Sequence, residues 1–111
     1  MFASNLPTVT AADVPADAYL LDVREADEWA AGHAPDAHHL PMMEVPARMA
    51  EIPSDADVVV VCRSGGRSGQ VVGYLMNNGW DNVRNLDGGM RQWAAAGRPL
   101  ESEDGQPARV I

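Results

Sequence analysis

The 111-residue chain predicts a single α/β domain with a mainly parallel central sheet flanked by helices on both faces. Three observations carry that expectation. Short apolar runs alternate with segments of helical spacing, the pattern of strand–helix–strand units. The run Val58-Val59-Val60-Val61 is β-branched throughout and shows no polar alternation, as a strand buried on both faces of a parallel sheet does. Gly32, Gly79 and Gly97 with Pro99 follow helical segments, where glycine and proline stop helices.

The elements follow in order. Thr8-Val9-Thr10 reads as a short strand, with Thr10 placed to cap a brief turn through Ala11 to Val14. Tyr19 to Val23 is the next strand, and Glu25 to Ala31 a short helix closed by Gly32. His38 to Leu40 reads as a short strand. Glu44 to Ala50 has helical spacing and carries Pro46 near its start, where a missing N–H is tolerated. The Val58–Val61 strand leads into Cys62-Arg63-Ser64-Gly65-Gly66, then into a helix from Arg67 to Asn78. Val71, Val72, Leu75 and Met76 make one apolar stripe on that helix. Val83 to Leu86 is a further short strand, and Met90 to Ala96 a final helix. Residues 1–100 therefore read as the domain and 101–111 as a polar C-terminal tail.

Composition narrows the function. A chain of this length buries roughly two-thirds of its unfolded surface, enough for a core without staples. The formal charge is −8, from 16 acids against 8 bases, and every base is arginine. Such a balance argues against nucleic acid, whose binding needs clustered cations, and against an anionic membrane surface. No apolar stretch approaches the ~18 residues of a spanning helix. Met1 to Asn5 carries neither a basic nor an apolar secretory signature, so the chain is expected to be cytoplasmic. Cys62 is the single cysteine, which excludes an internal disulfide and a two-thiolate metal site.

Cys62 is also where chemistry is expected. Ligands bind beyond the carboxyl ends of strands in open α/β sheets, and Cys62 follows the most apolar strand. Gly65 and Gly66 permit a backbone that aims several N–H groups inward, and the next helix adds its positive end. Arg63 and Arg67 contribute two further cations. Each term favours thiolate over thiol, so a lowered pKa is expected.

Cys62-Arg63-Ser64-Gly65-Gly66-Arg67-Ser68 resembles the active-site loop of the rhodanese family. Leu21-Asp22-Val23-Arg24-Glu25, Glu28-Trp29, Gly32-His33 and Pro35 are similar to that family's N-terminal signature, and Leu86-Asp87-Gly88-Gly89 with Trp93 to its C-terminal one. The likeness spans Tyr19 to Pro99. It implies a sulfurtransferase in which Cys62 is the catalytic nucleophile and carries a persulfide. It implies Arg63, Ser64, Gly65, Gly66, Arg67 and Ser68 as the substrate-binding loop, with no metal and no organic cofactor. The partners implied are a small sulfur-donor anion such as thiosulfate and a cyanide or thiol acceptor. Arg63 follows the cysteine as in thiosulfate-using members, whereas Ser64 stands where many two-domain members carry lysine. Ala34-Pro35-Asp36 replaces the family's common Ile-Pro-Gly, so that loop is expected to differ locally.

The other polar residues read as structural. Asp22 and Arg24 are expected to pair and hold the fold, and His33 to support it. His38 and His39 point to opposite faces of a strand and cannot share a metal. Gly88 and Gly89 suit a tight strand-to-helix turn, and Trp93 suits the core. Two function classes compete. A phosphatase would use Cys-x5-Arg, whereas four residues separate Cys62 from Arg67. A persulfide carrier or regulatory module would use Cys62 with a protein sulfur donor or acceptor.

Overall fold

The computed structural model describes residues 6–111; Met1–Asn5, with the reading made on them, lie outside the described residues. Five strands are present: β1 (Thr8–Val9), β2 (Tyr19–Asp22), β3 (His38–His39), β4 (Val58–Val61) and β5 (Val83–Leu86). They form one sheet in the order β1-β5-β4-β2-β3, and every pair is parallel. The α-helices are α1 (Ala26–Ala31), α2 (Val45–Arg48), α3 (Gly66–Asn77) and α4 (Gly89–Ala95).

The valine run sits at the centre, between β2 and β5, and all four side chains are buried. Alternation along the strand divides them between two cores. Val58 and Val60 pack with Leu21, with Val45 of α2 and with Val71, Val72 and Leu75 of α3. Val59 and Val61 pack with Val9, Leu86, Met90 and Trp93. Helices cover both faces, as the unalternating pattern requires. Asp22 pairs with Val61 and Asn85 with Val60, so β2, β4 and β5 end along one rim of the sheet.

The Glu44–Ala50 segment differs from the single helix its spacing predicts. A 3₁₀ turn at Met42–Glu44, the one-turn α2 and a second 3₁₀ turn at Met49–Glu51 succeed each other. Arg48, at φ −118° and ψ 18°, leaves the helical region and breaks the path. The reading of 101–111 as a polar tail meets a segment that runs back along α1. The Glu103 amide donates to the Ala30 carbonyl at 2.8 Å and the Arg109 amide to that of Ala31 at 3.0 Å. A Cβ on Gly32 would lie 2.2 Å from the Arg109 carbonyl oxygen, so this approach needs glycine. Among the described residues no helix is long and apolar enough to cross a membrane.

The Ala34-Pro35-Asp36 loop takes a left-handed turn, with Asp36 at φ +64°. The conformation is one glycine adopts freely and other L-residues resist by roughly 1–2 kcal/mol, aspartate less. Asp36→Gly should therefore stabilise the fold by about 0.5 kcal/mol after the entropy of the freer unfolded chain is deducted. A higher urea midpoint at unchanged slope checks it.

Candidate active site

Cys62 extends β4 by one residue and belongs to the same core as Val58 and Val60. The residue is 1% exposed. Gly65 turns the chain back toward it with φ +108°, a left-handed backbone that a side chain would strain. The turn brings the Gly65 N–H to 3.1 Å from Sγ and sets Gly65 as the residue before the twelve-residue α3. One turn into α3, the buried Ser68 places its hydroxyl 3.2 Å from the same sulfur.

A second helix holds the loop from the other side. The Met90 amide donates to the Cys62 carbonyl at 2.7 Å and the Arg91 amide to that of Arg63 at 3.1 Å. Gly89, at φ +61°, allows this contact, for a Cβ there would sit 2.5 Å from the Cys62 carbonyl oxygen. Sulfur and loop backbone are thus clamped between the first turns of α3 and α4.

Two opposing effects act on the Cys62 proton. Burial raises the thiol pKa; the Ser68 hydroxyl and the amides of Ser68, Gly65 and Ser64 lower it, and the net result lies below the ordinary value. Hydrogen bonds to the anion outweigh its desolvation, as the sequence predicts.

The arginines contribute differently from expectation. Arg67 grips Glu28 of α1 with both arms of its guanidinium, Nη1 to Oε1 at 2.7 Å and Nη2 to Oε2 at 2.8 Å. The two-pronged bond holds the Glu28 carboxyl down to about 2, with the Glu25 amide assisting. Arg67 is therefore already paired and adds little free positive charge to the loop. The Arg63 side chain is exposed and has no hydrogen-bond or ion-pair partner among the described residues. Ser64 is exposed as well and acts on the sulfur through its amide.

Beneath the rim, Asp22 and Arg24 form a fully buried pair, Nη2 to Oδ2 at 2.7 Å and Nε to Oδ1 at 2.9 Å. Arg24 also donates to the Gly32 carbonyl at 2.8 Å, tying β2 to the end of α1. His33 stacks on Trp29 at 3.6 Å between ring centroids and bonds its Nδ1 to the Trp29 carbonyl oxygen. His38 stacks on Tyr19 and His39 on Trp29, so the adjacent histidines go to different partners. Trp93 is buried core.

The chain matches the family described as the rhodanese-like domain over residues 8–96. It belongs to that family. A sulfurtransferase from Allochromatium vinosum is 49% identical over 89 residues, covering 80% of this chain and 83% of the relative. A rhodanese-related protein from Thermoplasma volcanium superposes with a TM-score of 0.80 at 28% identity, over 86% of this chain and 97% of its own. The thiosulfate sulfurtransferase of Pseudomonas aeruginosa superposes at 0.79 with 31% identity, over 97% of this chain. The likeness spans only 22% of that larger protein.

In this rhodanese-like domain Gly65 and Ser68 close on the Cys62 sulfur, Arg63 and Ser64 are exposed, and Arg67 turns to Glu28. Two contributors escaped the sequence reading. Glu28 belongs to the stretch that resembles the family's N-terminal signature, but no local feature pairs it with Arg67, 39 positions on. Asn85 binds Ser68 and the Gly65 carbonyl; a polar residue near the end of a strand that neighbours β4 is its signal.

The Arg67–Glu28 pair makes a pH prediction. The folded Glu28 pKa, about 2, lies below its ordinary 4.5. The pair's stabilisation is therefore present above pH 4.5 and lost as pH falls through about 2. Glu28→Gln should destabilise the domain at pH 7 by about 1 kcal/mol, since both groups are partly solvent-screened. The gap to wild type should close progressively in urea titrations run from pH 5 to about pH 2. A gap independent of pH would reject the assignment.

Proposed function

We propose that this chain is a sulfurtransferase that carries sulfane sulfur as a persulfide on Cys62. The donor is a small anion such as thiosulfate, and the acceptor is cyanide or a thiol. One observation carries the reading: a sulfur at the end of the central strand meets the Gly65 amide at 3.1 Å and the Ser68 hydroxyl at 3.2 Å. These donors suit a thiolate, and a persulfide whose charge lies one atom further out.

The reaction is two displacements. The Cys62 thiolate attacks the outer sulfur of thiosulfate, a new S–S bond forms, and the old one breaks with its electron pair leaving on sulfite. The acceptor then attacks the outer sulfur of the persulfide, taking it as thiocyanate or a new persulfide and restoring the thiolate. No proton or electron is left over, and no metal or organic cofactor is needed. Arg63, exposed and unpaired among the described residues, would meet the sulfonate oxygens of the donor.

A phosphatase reading fits less well. Its arginine must grip a tetrahedral oxyanion, whereas Arg67 here holds Glu28 with both arms. A carrier role with a protein donor would use the same sulfur chemistry, and the net charge of −8 would suit a basic partner. The buried position of Cys62 favours a slender donor. The setting we infer is the cytoplasm, where a lone cysteine stays reduced.

Intact-mass measurement after incubation with thiosulfate tests the reading directly. One sulfur atom should be gained, then removed by cyanide. No gain from thiosulfate, beside a gain from a protein persulfide, would replace the small donor with the carrier role. Arg63→Ala should raise the KM for thiosulfate about tenfold while changing kcat little, the signature of lost ground-state binding. An unchanged KM would remove Arg63 from the donor site.

A further inference from the structure

The Ser68 hydroxyl has one proton and two acceptors. The Cys62 sulfur lies 3.2 Å from its oxygen, and the Asn85 side-chain oxygen lies 2.5 Å away. The sense of the Asn85 amide is set on its other side, where Nδ2 donates to the Gly65 carbonyl at 3.2 Å. That carbonyl also accepts the Gly69 amide at 3.1 Å. Asn85 reaches the loop because it pairs with Val60 across the sheet. Val60 stands two residues before Cys62, on the same face by alternation.

We propose that Asn85 is a positioning residue of the sulfur centre, which sets through Ser68 whether the hydroxyl proton points toward the sulfur or away from it. The inference rests on Cys62 being the nucleophile. While sulfur is a neutral thiol every proton has a place. The thiol donates to the Ser68 oxygen, the hydroxyl donates to Asn85, and Asn85 donates to Gly65.

Ionisation changes the demand, for the sulfur turns from donor to acceptor; the loop amides already point at it, and the Ser68 hydroxyl proton is the one that must rotate to serve it. Turning it to sulfur leaves the Ser68 and Asn85 oxygens facing each other with no proton between. Such a contact is repulsive unless the Asn85 amide turns as well and presents Nδ2 to the hydroxyl oxygen. That turn has its own cost: the Gly65 carbonyl keeps the Gly69 amide but loses Nδ2 and meets Asn85 Oδ1 in its place, acceptor against acceptor. Asn85 thus withholds part of the stabilisation that Ser68 alone would give a thiolate. It takes the hydroxyl back when charge leaves Cys62 Sγ, as it does once a persulfide places that charge on the outer sulfur.

The pH midpoint of Cys62 alkylation by iodoacetamide reads this coupling in the 111-residue chain. Ser68→Ala should raise the midpoint. Asn85→Ala should lower it by about 0.5 to 1 pH unit, the scale of one ordinary intramolecular hydrogen bond. Asn85→Leu, which preserves volume, should shift it the same way. In a Ser68→Ala background Asn85→Ala should leave the midpoint where Ser68→Ala alone puts it.

The charged groups on the elements around the sulfur are common to all these variants. They are Asp22 of β2 and Arg24 after it, Glu25 before α1 and Glu28 of α1, Arg63 of the loop and Arg67 of α3, Asp87 after β5 and Arg91 of α4. A shift that needs Ser68 therefore comes from its proton. A rise in Asn85→Ala, opposite signs for Ala and Leu, no shift, or an equal shift with and without Ser68 would each overturn the proposal. Alkylation uses no sulfur donor, so a chain that shows the coupling yet accepts no sulfur fails as a transferase without touching this inference.

Discussion

Cys62→Ser is expected to abolish sulfur uptake and transfer while leaving the domain folded. Rates should fall by at least about a thousandfold, since removing an essential nucleophile leaves only what binding supplies. The reason is chemical, for a serine hydroxyl stays protonated near neutral pH and forms no persulfide. The fold should tolerate the change. Oxygen is smaller than sulfur but keeps the Gly65 and Ser68 contacts, and the flanking valines are untouched, so a stability change of about 1 kcal/mol or less is expected. Intact mass after thiosulfate, beside circular dichroism and a thermal melt, checks both halves. Because Cys62 is the sole cysteine, a variant that still gains sulfur would require a nucleophile of another kind.

The largest effect on stability should come from Asp22→Asn. Asp22 and Arg24 are both fully buried, and the carboxylate accepts from Arg24 Nε, Nη2 and backbone amide. Removing the negative charge while keeping the shape strands a guanidinium in the core, which costs about 3–5 kcal/mol. Arg24 Nη1 already lacks a partner in the described residues, so no spare contact softens the loss. Domains of this size hold about 5–15 kcal/mol in total, and the melting temperature should fall by roughly 10–20 °C. Replacing both partners with apolar residues of similar volume, Asp22→Leu with Arg24→Met, should recover much of it, because neither charge is then left behind. If Asp22→Asn unfolds at the wild-type midpoint, the pair is not what anchors β2 to the end of α1.

Much of the architecture is legible in the sequence. Four β-branched residues without alternation can be buried only where both sides are covered, and β4 is such a strand. Strands β2 and β5 and helices α1, α3 and α4 lie within two residues of their expected bounds, since glycines and polar turns mark their ends. The segment around Pro46 was less readable. Its spacing is helical, but whether one helix or three short turns forms depends on how Met42 and Met49 pack against the core, which spacing does not encode.

The site divides along the same line. Cys62, the turn at Gly65 and the positive end of α3 are local, set by residues within a few positions of each other, so the sequence by itself determined the candidate nucleophile, its loop and the downward direction of its thiol pKa. It also determined the parallel α/β frame, through periodicity and turn chemistry. Partners brought from a distance were settled only by the tertiary structure. Glu28 stands 39 positions before Arg67 and takes both arms of its guanidinium. Asn85 stands 17 positions after Ser68 and competes with the sulfur for its proton. An arginine or a serine reads the same in sequence whether its hydrogen-bonding capacity is free or taken. Only the packing of α1 and β5 against the loop decides, because a charge or a hydroxyl acts on whatever lies within a few ångströms.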